Sequence, residues 1–207
     1  MTMVKICGLR DAISVRAAVE AGADFVGFVF APTRRYVDPA EVAIITDELP
    51  ASIKKVGLFV NENPDRIRSI ARACGLDYVQ LCGDETPEFC RSLDVPVIKS
   101  LRVRGFEVID EVARFADVVE WCQLDGFQPN AYGGTGTTFD WDIAQTVAQR
   151  FRVMVAGGLT PENVSEAISK AQPWGVDVSS GVETDGKKDV VKIAAFVAAA
   201  RGVATWR

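Results

Sequence analysis

Lys54–Gly83 reads KKVGLFVNENPDRIRSIARACGLDYVQLCG. It opens on KKVGLFV, a β-branched and aromatic run with strand character. Asn63 then offers a capping side chain, and Pro64 directly behind it is preset for the first helical position. Residues 64–73 continue as an amphipathic stretch, and the unit ends in a second strand-like run, YVQLC. A helix between two strands carries the chain back to the same end of a sheet, so the strands pair in parallel.

The same grammar runs through the whole chain. The expected strands are MVKIC, DFVGFVF, KKVGLFV, YVQLC, PVIKSL, VVEWCQLD, RVMVAG and GVDVSSG. Helices are expected over 11–21, 38–48, 64–73, 86–92, 105–115, 140–149, 161–169 and 189–200. Pro39 after Asp38, Pro87 after Thr86 and Pro161 after Thr160 repeat the start signal of Asn63–Pro64. Eight alternations of this kind fit a closed (β/α)8 barrel or an open doubly wound sheet. Repeats of about 18 to 33 residues suit a small barrel with little decoration. The reading is a single-domain (β/α)8 TIM barrel over residues 1–207, with no linker or low-complexity segment.

The bulk numbers agree with an ordinary globule. Of 207 residues, 48% are hydrophobic and 25% charged, enough apolar mass for a substantial core. A net charge of −5 argues against a nucleic-acid partner, because phosphate backbones call for a basic surface. It leaves room for a small anionic ligand held by local donors. No apolar run reaches the roughly 18 residues of a membrane helix, and the N-terminus carries charge too early for a secretory signal. The expectation is a cytoplasmic protein with no membrane partner. Five cysteines without a CxxC spacing, in a chain with no histidine, argue against structural zinc and a disulfide framework. The lack of histidine also means that proton transfer near neutral pH falls to cysteine, aspartate, glutamate, lysine or tyrosine.

Strand alternation then sorts the polar residues. If Val4 and Ile6 face the helices, Lys5 and Cys7 face the barrel interior. Gln80 and Cys82, Gln123 and Asp125, and Asp177 and Ser179 point inward by the same count. Strands of buried parallel sheets usually read as unbroken apolar runs. Polar groups near the carboxyl ends of several strands therefore mark the end where barrel enzymes assemble their sites. Cys74, Cys90 and Cys122 read as core. Cys7 is either a small buried hydrophobe or a thiol whose pKa Lys5 lowers into a useful range. Asp125 and Asp177 either cap turns or serve a site.

Two loops carry glycine and serine at strand ends. VAGGLTPENV turns on Gly157 and Gly158, and VDVSSGVE on Ser179, Ser180 and Gly181. They follow the seventh and eighth expected strands, the usual phosphate position of a barrel, where freed N–H groups can meet an anion. GGTG at 133–136 matches no nucleotide fingerprint and reads as an active-site loop. In TRRY, Thr33–Tyr36, a guanidinium could grip a carboxylate with two parallel bonds, or the arginines could be a solvated pair.

These segments together have a specific likeness. KICGL at 5–9, GFVF at 27–30 followed by RRY, VGLFVN at 56–61, QLCG at 80–83, LDG at 124–126, GGTGTTFDW at 133–141, AGGLTPENV at 156–164 and VDVSSGVE at 176–183 resemble the phosphoribosylanthranilate isomerase family, in order and over nearly the whole chain. The resemblance implies a (β/α)8 barrel of tryptophan biosynthesis that performs an Amadori rearrangement on a small phosphorylated substrate with no cofactor and no metal. It implies Cys7 as general base, Asp125 as general acid and Arg35 on the anthranilate carboxylate. Asp177 becomes a substrate-pocket residue, beside the inward Gln80 and Cys82. Gly157, Gly158, Ser179, Ser180 and Gly181 become the phosphate site. One departure is Cys82, which stands where the family usually has histidine; altered substrate positioning or pH dependence is expected there. A monomer is the plain expectation. The competing readings are another sugar-phosphate isomerase on the same barrel, or a barrel that binds a phosphorylated ligand without catalysis.

Overall fold

The structure is a computed structural model that describes residues 1–126 and 138–203. Eight strands close into one parallel barrel in sequence order. They are β1 (Met3–Cys7), β2 (Phe25–Val29), β3 (Lys54–Phe59), β4 (Tyr78–Leu81), β5 (Val97–Val103), β6 (Trp121–Gly126), β7 (Val153–Val155) and β8 (Gly175–Val178). The helices that return the chain are α1 (Ala12–Glu20), α2 (Pro39–Ile45), α3 (Pro64–Cys74), α4 (Pro87–Arg91), α5 (Val108–Phe115), α6 (Trp141–Ala148), α7 (Val164–Ala171) and α8 (Val190–Arg201). The open-sheet alternative is thereby excluded: β1 pairs with β8, Lys5 opposite Asp177.

Capping explains most helix starts. Asp38, Asn63 and Thr86 accept backbone N–H groups ahead of Pro39, Pro64 and Pro87. Pro161 is different. The side chain of Asn163 accepts the Thr160 N–H and donates to the Gly158 carbonyl, so residues 160–163 form a separate turn and α7 starts at Val164. The expected helix over 161–169 is therefore shifted. The expected strand start at Val118 also moves: the N–H groups of Val118 and Val119 both bond to the Phe115 carbonyl and finish α5. The expected run GVDVSSG stops at Val178, and Ser180–Val182 coils into a 3₁₀ turn. A two-stranded hairpin, β9 (Glu183–Thr184) and β10 (Lys187–Lys188), follows it.

Alternation splits the core in two. Outward residues such as Val4, Ile6, Val26, Leu81, Leu124 and Val176 pack against the helices. A second cluster, Phe25, Val56, Ile98, Trp121 and Met154, has the opposite parity and fills the barrel. Around Trp121 stand Tyr78, Phe25 and Trp174, with ring centroids 5.0, 5.4 and 4.8 Å away. Each fully buried side chain of this size contributes about 1.5–3 kcal/mol. The aromatic layer lies two to four residues upstream of the polar inward positions. It plugs the N-terminal end and leaves the polar layer facing the other mouth. Among the described residues, no helix is long and apolar enough to cross a membrane.

Candidate active site

At the carboxyl ends of the strands a cavity of about 680 Å³, counting its open mouth, receives side chains from most of the barrel. Cys7 enters from β1, Gln80 and Cys82 from the end of β4, Gln123 and Asp125 from β6, and Asp177 from β8. All six residues are buried. Arg35 lines the same space, as do Gly157, Gly158, Ser179 and Ser180. Val29, Leu58, Val60 and Leu159 supply an apolar wall. The structure thus brings together ten of the eleven residues singled out from sequence. The exception is Gly181, which lies outside the cavity lining. A Cβ there would sit 1.8 Å from the Leu159 carbonyl oxygen, so this glycine lets the two loops touch and does not face the cavity. The GGTG motif at 133–136 lies outside the described residues.

The deepest polar feature is an ion pair inside the barrel. Lys5 Nζ stands 3.0 Å from Asp177 Oδ1, with side chains 0% and 6% exposed. Burial pushes the Lys5 ammonium toward losing its proton, but Asp177 and Cys7 facing it outweigh burial and hold it charged. This changes the expected picture of Cys7. Burial pushes the thiol upward, Lys5 pulls it down, and Asp177 opposes Lys5, so the net direction is up. Lys5 lowers the thiol as expected, but burial, with Asp177 opposing the lysine, outweighs that pull and keeps the thiol above its ordinary value. Nearby, Gly157 and Gly158 take left-handed φ of 81° and 64°, which turns the β7 loop over the cavity.

The arginine pair separates into two roles. Arg34 is 59% exposed and Arg35 only 12%. Arg35 donates from Nε to Glu183 Oε1 at 2.7 Å and from Nη2 to Oε2 at 3.2 Å. Its stem passes over Gly8, where a Cβ would lie 2.7 Å from Arg35 Cδ, so glycine at φ 77° makes room for it. Lys188 reaches the same carboxylate at 3.0 Å. Sequence reasoning missed Glu183 and Lys188. Glu183 closes the VDVSSGVE stretch and Lys188 lies in a hairpin of two-residue strands, too short to show strand periodicity.

The β4 end carries Gln80 and Cys82. Gln80 Nε2 donates to Cys82 Sγ at 3.3 Å, and burial pushes that thiol up to about 12. The Oε1 atoms of Gln80 and Gln123 are buried and find no hydrogen-bond donor among the described residues. Both residues line the cavity, so a donor within it can reach two amide acceptors. Gln123 was read as inward but assigned nothing. All five cysteines are free thiols. Among the described residues no group of three or more Cys, Asp or Glu side chains is placed to hold a metal ion.

The family model for N-(5′-phosphoribosyl)anthranilate isomerase matches residues 4–199. This chain belongs to the phosphoribosylanthranilate isomerase family. It is 46% identical over 200 residues to the N-(5′-phosphoribosyl)anthranilate isomerase of Trichlorobacter lovleyi, covering 95% of this chain and 97% of that one. The corresponding protein of Geobacter sulfurreducens is 45% identical over 204 residues, 98% of this chain and all of that one. Among solved structures, the Thermotoga maritima phosphoribosylanthranilate isomerase superposes with a TM-score of 0.90 at 40% identity, covering 98% of this chain and 100% of that one. A further isomerase structure, with a TM-score of 0.86, 38% identity and the same coverage, holds reduced 1-(o-carboxyphenylamino)-1-deoxyribulose 5-phosphate.

Proposed function

We propose that this member of the family converts N-(5′-phosphoribosyl)anthranilate into 1-(2-carboxyphenylamino)-1-deoxyribulose 5-phosphate, with Cys7 as general base and Asp125 as general acid. The observation that carries this reading is the convergence of a thiol from β1 and a carboxyl from β6 on one cavity that Arg35 and the Gly157–Gly158 and Ser179–Ser180 loops also line. The Asp125 carboxylic acid donates a proton to the ribose ring oxygen. The C1′–O bond breaks as the amine lone pair forms a C1′=N iminium. The Cys7 thiolate takes the C2′ proton that the iminium has acidified, and the resulting enolamine tautomerises to the ketone. Every electron pair stays within the substrate, so the isomerisation needs no external oxidant or cofactor. The raised thiol is a strong base once ionised, and the iminium cation supplies the positive charge that stabilises the thiolate during the step.

Gly157, Gly158, Ser179 and Ser180 supply the phosphate contact, Arg35 the carboxylate contact, and Gln80, Cys82 and Asp177 the sugar-facing wall. Fixing both anionic ends places C1′ and C2′ between acid and base. Gly181 belongs to this phosphate loop by packing. We take the chain to act in the cytoplasm as a monomer, without nucleic-acid or membrane partners; light scattering that returned twice the chain mass would correct the monomer. Steady-state loss of substrate fluorescence tests the chemistry. Cys7→Ala and Asp125→Asn should each lower kcat by about 10²–10⁴-fold. Near-normal turnover in either variant would remove that residue from its role.

A further inference from the structure

We propose that Glu183, seated by Lys188, is a positioning residue that holds the Arg35 guanidinium side-on so that its end-on fork is left for the substrate carboxylate. The inference rests on the isomerase reading above and deepens it. A guanidinium carries five N–H donors in one plane, arranged as a side-on pair (Nε and one Nη) and an end-on pair (Nη1 and Nη2). Glu183 takes the side-on pair: Nε to Oε1 at 2.7 Å and Nη2 to Oε2 at 3.2 Å. Both Nη1 hydrogens and the second Nη2 hydrogen remain outside that contact, and Arg35 lines the cavity.

Glu183 is itself held from several sides. Lys188 Nζ reaches its Oε1 at 3.0 Å, Arg34 Nη2 its Oε2 at 2.9 Å, and Lys192 Nζ its backbone carbonyl at 2.9 Å. One carboxylate thus faces three cationic side chains, an imbalance that favours a further anion beside them. Burial raises the Glu183 carboxyl, but Arg35 and Lys188 outweigh it, and the group stays ionised below the usual carboxylate range.

The network also reaches the other anion contact. Lys188 Nζ donates to the Ser179 carbonyl at 2.7 Å and approaches its hydroxyl at 3.4 Å. The Ser179 hydroxyl donates to the Cys7 carbonyl at 3.1 Å. Arg35, Glu183, Lys188, Ser179 and the backbone of Cys7 are therefore one chain of contacts. It fixes the distance between the carboxylate grip, the phosphate loop and the base. A loose arginine would have to be ordered at each binding event, whereas one already clamped loses little rotamer freedom.

The test compares two ligands on the purified full chain by calorimetry: reduced 1-(o-carboxyphenylamino)-1-deoxyribulose 5-phosphate and the same compound without its ring carboxylate. Glu183→Gln should weaken the carboxylate-bearing ligand by about tenfold or more and the descarboxy ligand by less than about twofold. In turnover it should raise KM by about tenfold with kcat within about threefold. Glu183→Asp should recover part of the loss. In an Arg35→Ala background, Glu183→Gln should add nothing, because the arginine it orients is gone. Equal weakening of both ligands, or an undiminished second loss in the Arg35→Ala background, would overturn the positioning role and leave Glu183 a packing residue. Wild-type protein that neither turns over substrate nor binds either ligand would overturn the isomerase reading, and this inference with it. To guard against misfolding, Glu183→Gln/Lys188→Met removes the buried lysine along with its partner, and the same ligand discrimination should persist in that variant.

Discussion

Two of the buried lysine–carboxylate pairs of this barrel, Lys5–Asp177 and Lys99–Glu85, do different work. Lys5 and Asp177 lie inside the strands, 3.0 Å apart with side chains 0% and 6% exposed. Lys99 and Glu85 lie between barrel and helices, 2.8 Å apart and 3% and 2% exposed. Distance and burial hardly separate them. Saturation does. Lys99 Nζ also donates to the Gly83 carbonyl at 2.7 Å and approaches that of Leu81 at 3.5 Å, while Glu85 Oε1 accepts the Asn61 N–H at 2.8 Å. That pair staples the loops after β3 and β4 and has no face toward the cavity. Asp177 lines the cavity, and Lys5 sits against Asp177 and Cys7. Strand parity made the difference: Lys5 shares the face of Cys7, and Lys99 lies between the inward-parity residues Ile98 and Ser100. A buried charge signals chemistry here only where some of its coordination is open to a ligand.

The sharpest way to break this comparison is to remove each lysine. Lys5→Met and Lys99→Met each leave a buried carboxylate unpaired, which costs about 3–5 kcal/mol of stability. Chemical denaturation should show both losses. Only Lys5→Met should change the reaction, because Lys5 lowers the Cys7 thiol and Asp177 raises it. The thiolate-dependent rise of kcat/KM should then move to higher pH, because the lysine that draws the thiol down is gone. A Lys99→Met variant whose pH profile moved equally would erase the distinction.

Removing both partners comes next in size. Glu85→Leu/Lys99→Met replaces a saturated pair with apolar volume, and its stability should return to within about 1–2 kcal/mol of wild type with turnover intact. Asp177→Leu/Lys5→Met should recover stability to a similar degree and stay slow. Recovery of turnover in that double variant would place the inner pair with the outer one, as structure alone.

The wild-type pH profile sharpens the same point with a smaller effect. In the proposed mechanism the Cys7 thiolate is the base, and burial lifts the thiol above its ordinary value. Thiolate therefore increases as pH rises, and kcat/KM, which reports the free enzyme, should still be climbing at about pH 8.5, the value of an unperturbed thiol. A plateau reached well below that would assign the limb to another group.

The sequence made legible what depends on local rules. Alternation placed Cys7, Gln80, Asp125 and Asp177 on one face, and Asp–Pro, Asn–Pro and Thr–Pro pairs marked three helix starts. What stayed hidden depends on contacts distant in the chain. Glu183 meets Arg35 from 148 positions away. Asp177 meets Lys5 from 172 positions away, and burial, aided by Asp177, overrides the downward pull of Lys5 on Cys7. Gly181 looked like its neighbours Ser179 and Ser180, yet the closeness of the Leu159 backbone decides its role, and no motif reports that. Thr160–Pro161 carried a helix-start signal that the side chain of Asn163 overrides two residues later.

Cys82 tests the comparison at its gentlest point. It lines the same cavity as Cys7, and both are buried thiols, so residue type and burial again fail to separate them. Their neighbours differ. Cys7 has Lys5 beside it and Lys188 in range, and both draw its thiol down against burial. Cys82 has the Gln80 amide at 3.3 Å and is pushed up to about 12, so it is neutral throughout the working range; its sulfur weakly accepts that N–H and its S–H is at most a weak donor. Cys82→Ser keeps an acceptor at that atom and adds no charge. It should change KM by about threefold or less, the scale of one altered hydrogen bond. Its kcat/KM profile should superimpose on that of wild type between roughly pH 6 and 9, since a group with so high a pKa contributes no limb there. A displaced limb in Cys82→Ser would mean that the second thiol titrates together with the first, and the base would then have to be assigned to the pair.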